Sequence, residues 1–442
     1  MNSLFKKIIV WALRAEAKAV LRKYKPRIVA ITGSVGKTST KDAIYAALAR
    51  QFRVRKSEKS FNSEIGLPLT ILGVGNAWHN PLRWLQNLVD GVLLLIFDTE
   101  YPEWLVLEVG ADRPGDISLL KSWLPVDVAV ITRLPEVPVH VEFFASVEAV
   151  VEEKASLLDA VKKGGAILLY ADDERTRKLE HRLPAPDAKI LLFGFGDGSH
   201  IRGENFELLR ESDGTVIGMQ GTIKREEVSA PIALAGAVGA HAFLPLIAAV
   251  AVGEALGVGL AECIEGLRGY EPPPGRMRLI AGLKGSLIVD DTYNSSPAAV
   301  HAALETLSLI VGRAPLDGGI SQGRRIAALG DMLELGRHSV DEHRKAGVEA
   351  AKHCDVLVTV GFRARDIAQA AREQGVAAEN ILQFDDSQRA GAELQNLLQP
   401  GDCVLVKGSQ SIRMERVVEE IMLNPEQAEK LLVRQDREWK RR

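Results

Sequence analysis

The alternation of apolar and polar positions changes character twice within the first fifty residues. Residues 3–25 carry Leu4, Phe5, Ile8, Ile9, Ala12, Leu13 and Val20 tending to one side, with Lys6, Lys7, Arg14, Lys18, Arg22 and Lys23 around the rest. This pattern predicts a basic amphipathic helix, stopped by Pro26. A β-branched run (Ile28, Val29, Ile31) then ends in the glycine turn Thr32–Ser39 and gives way at once to an Ala-rich helical pattern reaching Arg50. Strand, glycine turn and helix follow one another without a spacer.

Further along, Trp104–Val109, Val126–Thr132, Ile167–Ala171 and Lys189–Phe193 are apolar runs that predict strands, and Glu207–Ala230 alternates as an antiparallel strand pair would. His241–Leu256 and Leu260–Leu267 predict helices. Residues 76–101, with Trp78, Trp84 and the apolar run Gly91–Phe97, read as an insertion that either packs privately or offers a contact surface. Pro272–Gly275 is the clearest linker. Beyond it, strands at 287–290, 325–329, 356–360, 381–384 and 403–406 alternate with helices at 297–309, 339–353, 364–374, 387–398 and 414–422, with a Gly-rich loop at Leu316–Gly323. That rhythm predicts a parallel sheet with crossover helices, while the charged run from Asn424 onward is expected to fray. The expected organisation is α/β: a short N-terminal helix (1–26), a central P-loop-type ATPase domain with a mostly parallel sheet (27–273), a Rossmann-like C-terminal domain (274–424) and a charged tail (425–442).

Composition narrows the function classes. A net charge of −3 over 442 residues gives no electrostatic case for nucleic acid as the partner. Cys263, Cys354 and Cys403 are too few and too far apart for a disulfide framework, which suits a reducing compartment. The apolar stretches Ile8–Leu13 and Gly91–Phe97 fall well short of the ~20 residues a membrane span needs, and the first is badly flanked for a signal peptide. The expectation is a cytoplasmic chain. Residues 3–25 and 76–101 are candidates for peripheral contact with a partner protein or the inner face of a membrane, set against simple docking on the adjacent domain.

The glycine turn carries the chemistry. Gly33 and Gly36 let the amides of Gly33, Ser34, Val35, Gly36, Lys37, Thr38 and Ser39 curl around a phosphate, Lys37 adds charge, and the Thr38 hydroxyl is a candidate ligand for Mg²⁺. The loop is a shortened variant, since the usual spacing would place a glycine where Ile31 stands. Glu108, at a predicted strand end, and His140 are further donors for the same cation, and no Cys or paired-His spacing points to zinc. The plainer alternatives are an ordinary tight turn and a structural histidine.

Thr32–Thr40 (TGSVGKTST), Asn62–Thr70 (NSEIGLPLT), Leu107–Ile117 (LEVGADRPGDI), His140–Ala155 (HVEFFASVEAVVEEKA), Pro274–Arg276 (PGR), Asp290–Pro297 (DDTYNSSP), Leu329–Gly336 (LGDMLELG) and Val406–Val417 (VKGSQSIRMERV) run in one order along the chain. In these segments the sequence resembles the Mur ligases, ATP-dependent amide-bond ligases of peptidoglycan synthesis. LGDMLELG and DDTYN favour the branch that joins D-alanyl-D-alanine to UDP-MurNAc-tripeptide (MurF). The resemblance implies ATP and Mg²⁺ as cofactors, with Lys37 and the Gly33–Thr38 amides at the terminal phosphates and Thr38, Glu108 and His140 at magnesium. It places Lys154, as a carbamate, at a second magnesium. Arg276, Asp291, Tyr293 and Asn294 would reach the nucleotide, and Asn62, Ser63, Asp331, Glu334 and Lys407 would meet the substrates. The implied reaction moves the γ-phosphoryl group to a peptidyl carboxylate, and the amine of a dipeptide donor then attacks the acyl phosphate.

The chain also departs from that pattern. Only about twenty-six residues precede the phosphate-loop strand, where the branch has a uridine-nucleotide domain, so a lipid-linked or polymeric carboxylate acceptor remains an alternative. Ala242 and Pro245 stand where the family has asparagines; Ser63 and Gln410 replace an asparagine and an arginine. A rival of another class is a nucleotide-binding scaffold without ligase activity. Joint retention of Glu108, His140 and Lys154 argues against it.

Overall fold

A computed structural model describes residues 3–58, 61–78, 80–182, 187–310 and 323–440. The Gly-rich stretch expected at Leu316–Gly323 lies, except for Gly323, outside the described residues. The first unit runs through α1 (Ser3–Tyr24), β1 (Arg27–Thr32), α2 (Lys37–Leu48), β2 (Val54–Lys56), α3 (Gly66–Leu72), α4 (Pro81–Ile96), β3 (Trp104–Glu108), β4 (Val126–Ile131), α5 (Val147–Ala155), β5 (Val161–Tyr170), α6 (Glu174–Lys178), β6 (Lys189–Gly194), β7 (Ile201–Arg210), β8 (Val216–Arg225), β9 (Val228–Ala235), α7 (Ala240–Ala255) and α8 (Leu260–Leu267). Among the described residues its strands form one sheet in the order β2-β3-β1-β4-β5-β6-β7-β8-β9. The strands from β2 to β7 pair in parallel, and β7, β8 and β9 pair antiparallel. The expected strand pair is thus a three-stranded antiparallel wing that begins at Ile201.

β1 lies between β3 and β4, with Ile31 opposite both Glu108 and Val130. Five of its six residues are buried, as a strand covered on both faces by helices must be. On one face α2 and α7 pack; on the other α1 contributes Ile9, Leu13, Ala17, Val20 and Leu21. The helix turns Ile8 and Trp11 outward, although the spacing puts Ile8 with the buried set.

The second unit comprises β10 (Arg278–Ala281), β11 (Leu287–Asp291), α9 (Pro297–Ile310), β12 (Arg325–Gly330), α10 (Ser339–His353), β13 (Val356–Val360), α11 (Arg365–Glu373), β14 (Ile381–Phe384), α12 (Ser387–Leu397), β15 (Cys403–Lys407), α13 (Glu415–Ile421), α14 (Ala428–Leu431) and α15 (Arg437–Lys440). Its sheet order is β10-β11-β15-β12-β13-β14, parallel except for β10. One apolar cluster runs from β1 and α2 through α7 into α9 and β12, so the two sheets share a core.

The charged C-terminal stretch does not behave as expected. Ala428 and Leu432 are buried beside Val417, Ile421 and Met422, and that apolar burial fastens the segment to the second unit. The insertion also differs from a private core: α4 buries Trp84, Asn87 and Gly91 and turns Leu82, Leu85, Val89, Val92, Leu93 and Ile96 to the surface.

Candidate active site

The glycine turn takes its shape from backbone that other residues adopt only under strain. Gly33 has φ +140°, and a Cβ there would lie 2.0 Å from Thr132 Oγ1; Gly36, at φ +85°, turns the chain into α2. The loop is strapped to the end of β4, since Ser34 N–H donates to Arg133 O at 2.8 Å and the Thr132 hydroxyl donates to Val35 O at 2.8 Å. Lys37 Nζ arches back to donate to Gly33 O at 2.9 Å. Burial pushes the Lys37 pKa down, opposed by the nearby charge of Glu108.

Glu108 is the hub. Its Oε2 accepts from the Thr38 hydroxyl at 2.8 Å and its Oε1 from Asn62 Nδ2 at 3.1 Å. Arg276, arriving from the linker, donates to Thr38 Oγ1 at 3.2 Å, and its guanidinium carbon stands 3.8 Å from the centroid of the Tyr293 ring. These groups face a cleft of about 1340 Å³ between the two sheets, with Ser63, Asp112, His140 and His241 on the first unit's side and Asp291, Asn294, Glu334 and Lys407 on the second's.

His140 spans the gap. Its Nδ1 lies 2.6 Å from Glu334 Oε2 and its Nε2 3.5 Å from Asp112 Oδ1. The contact with His140 holds the Glu334 carboxyl below its ordinary range. Lys407 Nζ donates to Asp291 Oδ2 at 2.5 Å and to Asn294 O at 2.9 Å, which fixes the loop carrying Tyr293. Ser63 is exposed, and its Oγ accepts weakly from Gly66 N–H at 3.4 Å. Asp331 stands apart from the cleft lining: its Oδ1 accepts the Ala364 N–H at 2.7 Å, and the carboxylate packs against Gly361. Its contacts there are those of a brace before α11.

Lys154 lies on α5 beside two glutamates, Glu152 and Glu153, and is nonetheless buried. It is 1% exposed, while its neighbour Glu153 accepts the N–H groups of Ile117 and Ser118. Burial and then the positive charge of Lys37 bring its pKa down to about 7, which places the amine within electrostatic reach of the phosphate loop. His241 stands at the start of α7; its Nε2 is buried without a hydrogen-bond partner among the described residues, and burial pushes its pKa down to about 4.

The donors fit magnesium. The Thr38 hydroxyl and the Glu108 carboxylate already meet, and among the described residues no three His, Cys, Asp or Glu side chains form a preassembled cluster. Mg²⁺ is ordinarily held by one or two carboxylates together with phosphate and water, not by an all-protein cage.

Comparison with known proteins agrees with this geometry. Residues 31–81 and 88–253 match the Mur ligase middle domain, and residues 275–410 match the Mur ligase glutamate ligase domain. The UDP-N-acetylmuramoyl-tripeptide–D-alanyl-D-alanine ligase of Bacillus subtilis is 28% identical over 415 residues, covering 94% of this chain and 80% of its own. The Escherichia coli enzyme of that name is 27% identical, over 92% and 80%. Among solved structures, the MurF ligase of Thermotoga maritima in complex with ADP superposes with a TM-score of 0.73 at 27% identity, covering 95% of this chain and 84% of that one. A MurF from Acinetobacter baumannii shares the fold with a TM-score of 0.74 at 24% identity, over 93% and 80%. With the middle and C-terminal domains matched in sequence order across most of its length, the chain belongs to the Mur ligase family, ATP-dependent ligases that form a carbon–nitrogen bond.

Proposed function

We propose that the protein joins D-alanyl-D-alanine to UDP-N-acetylmuramoyl-tripeptide, the activity named for its relatives. The observation that carries this reading is the convergence of Thr38, Glu108 and Arg276 on one point of the cleft, from two different units of the fold. Lys37 and the amides of Gly33–Thr38 bind the terminal phosphates, and Arg276, Asp291, Tyr293 and Asn294 hold the remainder of the nucleotide. Thr38, Glu108 and His140 are the magnesium-binding set; the cation, when bound, neutralises charge on the phosphates during phosphoryl transfer. His140 is free for that role once Glu334 turns from it toward the incoming amine donor, beside Lys407. Asn62 and Ser63 sit on the acceptor side. Asp331 acts from behind this rim by bracing it.

Lys154 takes a carbamate in this reading. Carbamate formation joins the neutral amine to CO₂ through a new N–C bond with release of one proton, and a pKa of about 7 leaves a large neutral fraction at physiological pH, which an ordinary lysine lacks. The resulting anion, within electrostatic reach of Lys37, adds negative charge behind the phosphate loop.

The test is phosphate release by the purified protein with ATP, Mg²⁺, UDP-MurNAc-tripeptide and D-alanyl-D-alanine. Release that depends on all four supports the proposal. Release only with a lipid-linked or polymeric carboxylate acceptor overturns the substrate assignment, and no release with any acceptor overturns the ligase assignment.

We propose further that the chain rests on an anionic membrane surface through α1 and α4. The two helices lie side by side in the same direction, with Glu16 against Gly91 and Lys23 Nζ on the carbonyl of Phe97 at 2.8 Å. On this helix pair Ile8 and Trp11 of α1 and Leu82 and Leu85 of α4 are all exposed. α1 carries six basic residues against one acidic, and exposed apolar side chains on a basic helix suit an anionic lipid interface. No helix among the described residues is long and apolar enough to cross a membrane. Sedimentation with phosphatidylserine vesicles, but not with neutral ones, supports this contact; absence of binding to either overturns it.

A further inference from the structure

We infer that Arg434, from the charged C-terminal segment, is a positioning residue for the nucleotide: by holding the carbonyls of Thr292 and Tyr293 it sets the aromatic platform under Arg276. The inference rests on the roles proposed above for Tyr293 and Arg276.

The Arg434 side chain is 4% exposed. Its Nη2 donates to Thr292 O at 2.5 Å and to Glu415 Oε2 at 2.6 Å, and its Nη1 donates to Tyr293 O at 3.0 Å. Glu415, fully buried, is also paired with Arg413. The guanidinium is therefore fixed on one side by a carboxylate that cannot leave, and it turns two further N–H donors to two consecutive carbonyls of the loop that follows β11. Such charge-assisted bonds are roughly twice as strong as neutral ones, and their planar fork is something a lysine does not reproduce.

The chain of contact continues into the cleft. The Tyr293 N–H donates to Gly275 O at 3.1 Å, so the loop is tied to the linker immediately before Arg276. The Arg276 guanidinium lies on the Tyr293 ring and reaches Thr38. Arg276 Nε is buried with no hydrogen-bond partner among the described residues, a donor held ready beside the phosphate loop; a buried unpaired donor is costly unless a ligand takes it up. Gln435, Asp436 and Trp439 line the same cleft, so the segment both braces the platform and walls the site. Nothing in its local sequence pattern announces this, since the role exists only where residue 434 meets residues 292 and 293.

The experiment compares ATP affinity and turnover in the full chain carrying Arg434→Lys or Arg434→Ala, with Arg276→Ala as the reference. Arg434→Lys keeps a cation beside Glu415, and with it the fold, but cannot span both carbonyls. Its KM for ATP should rise about fivefold, and that of Arg434→Ala about tenfold, with kcat moving less than about threefold, the signature of lost ground-state positioning. Added guanidinium at millimolar concentration should restore part of the affinity of Arg434→Ala. Turnover lost in proportion to folded protein, with KM unchanged, would mean a purely structural role and overturns the inference. If Arg276→Ala weakens ATP binding while both Arg434 variants bind normally, the inference alone fails; if all three bind normally, the nucleotide assignment of Tyr293 and Arg276 fails with it.

Discussion

On one rim of the cleft, Lys37 is held by a carbonyl four residues back, Gly33 and Gly36 supply the turn, and neighbouring strand ends provide Glu108 and Thr132. On the facing rim, Tyr293 is held by Arg434, 141 positions along the chain, while Glu334 is set against His140 of the other unit. The first rim is built from close sequence neighbours and adjacent parallel strands, and it stands ready in the isolated fold. The second is assembled by contacts between distant segments, and of these the Glu334–His140 contact across the cleft is the one a ligand can displace. A ligase that must bind phosphates firmly and yet admit and release two substrates has use for both constructions.

Changes at each rim should therefore fail differently. The largest effect is expected from Lys37→Ala, which removes charge at the phosphates and the hydrogen bond to Gly33 O: turnover in a phosphate-release assay should fall about 10²–10³-fold with little change in Tm. Lys154→Met should reduce turnover by roughly 10²-fold and yet raise Tm at pH 7–8, because it replaces an amine that must give up its proton to be buried. The sign follows from proton binding. The unfolded lysine titrates near 10.5 and the folded one near 7, so the unfolded chain binds more protons between those values and stability rises with pH across that window. The variant should lose this rise, which melting curves at pH 7 and pH 9.5 would reveal.

Gly33→Ala acts on the local rim by strain. Its Cβ would meet Thr132 at a positive φ, so a loss of about 1–3 kcal/mol is expected, read as a lower Tm together with weaker ATP binding. The smallest effect on catalysis belongs to Leu85→Asp on the outward face of α4. Turnover should be unchanged and stability within about 0.5 kcal/mol, while binding to anionic vesicles falls. A loss of turnover in that variant would mean that this face serves the active site and not a surface.

The difference between the rims is also the difference in what the sequence made readable. TGSVGKTS between a β-branched run and an Ala-rich run announces a strand, a turn and a helix, because the determinants are glycines and apolar periodicity within a dozen residues. The alternation after Pro274 announces a parallel sheet for the same reason. Lys154 could not be read as buried from its own helix, where Glu152 and Glu153 suggest solvent; the packing of α5 decided it. The antiparallel wing was hard to delimit because Gly203, Gly218 and Gly221 interrupt the alternation on β7 and β8. Asp331 stands in a segment that resembles a substrate-binding motif, but its carboxylate is occupied by the backbone of Ala364. The tail looked free because charged residues dominate it; two small apolar anchors, Ala428 and Leu432, and one buried arginine fasten it.

By itself the sequence determined which segments fold as strands and helices and which turn can cradle a phosphate, since backbone preference and apolar spacing act over a few residues. Tertiary structure alone decided which charges are stripped of water, which carbonyls Arg434 holds and which apolar face α4 leaves outward. Desolvation and long-range hydrogen bonding depend on neighbours that the chain brings together only once it has folded.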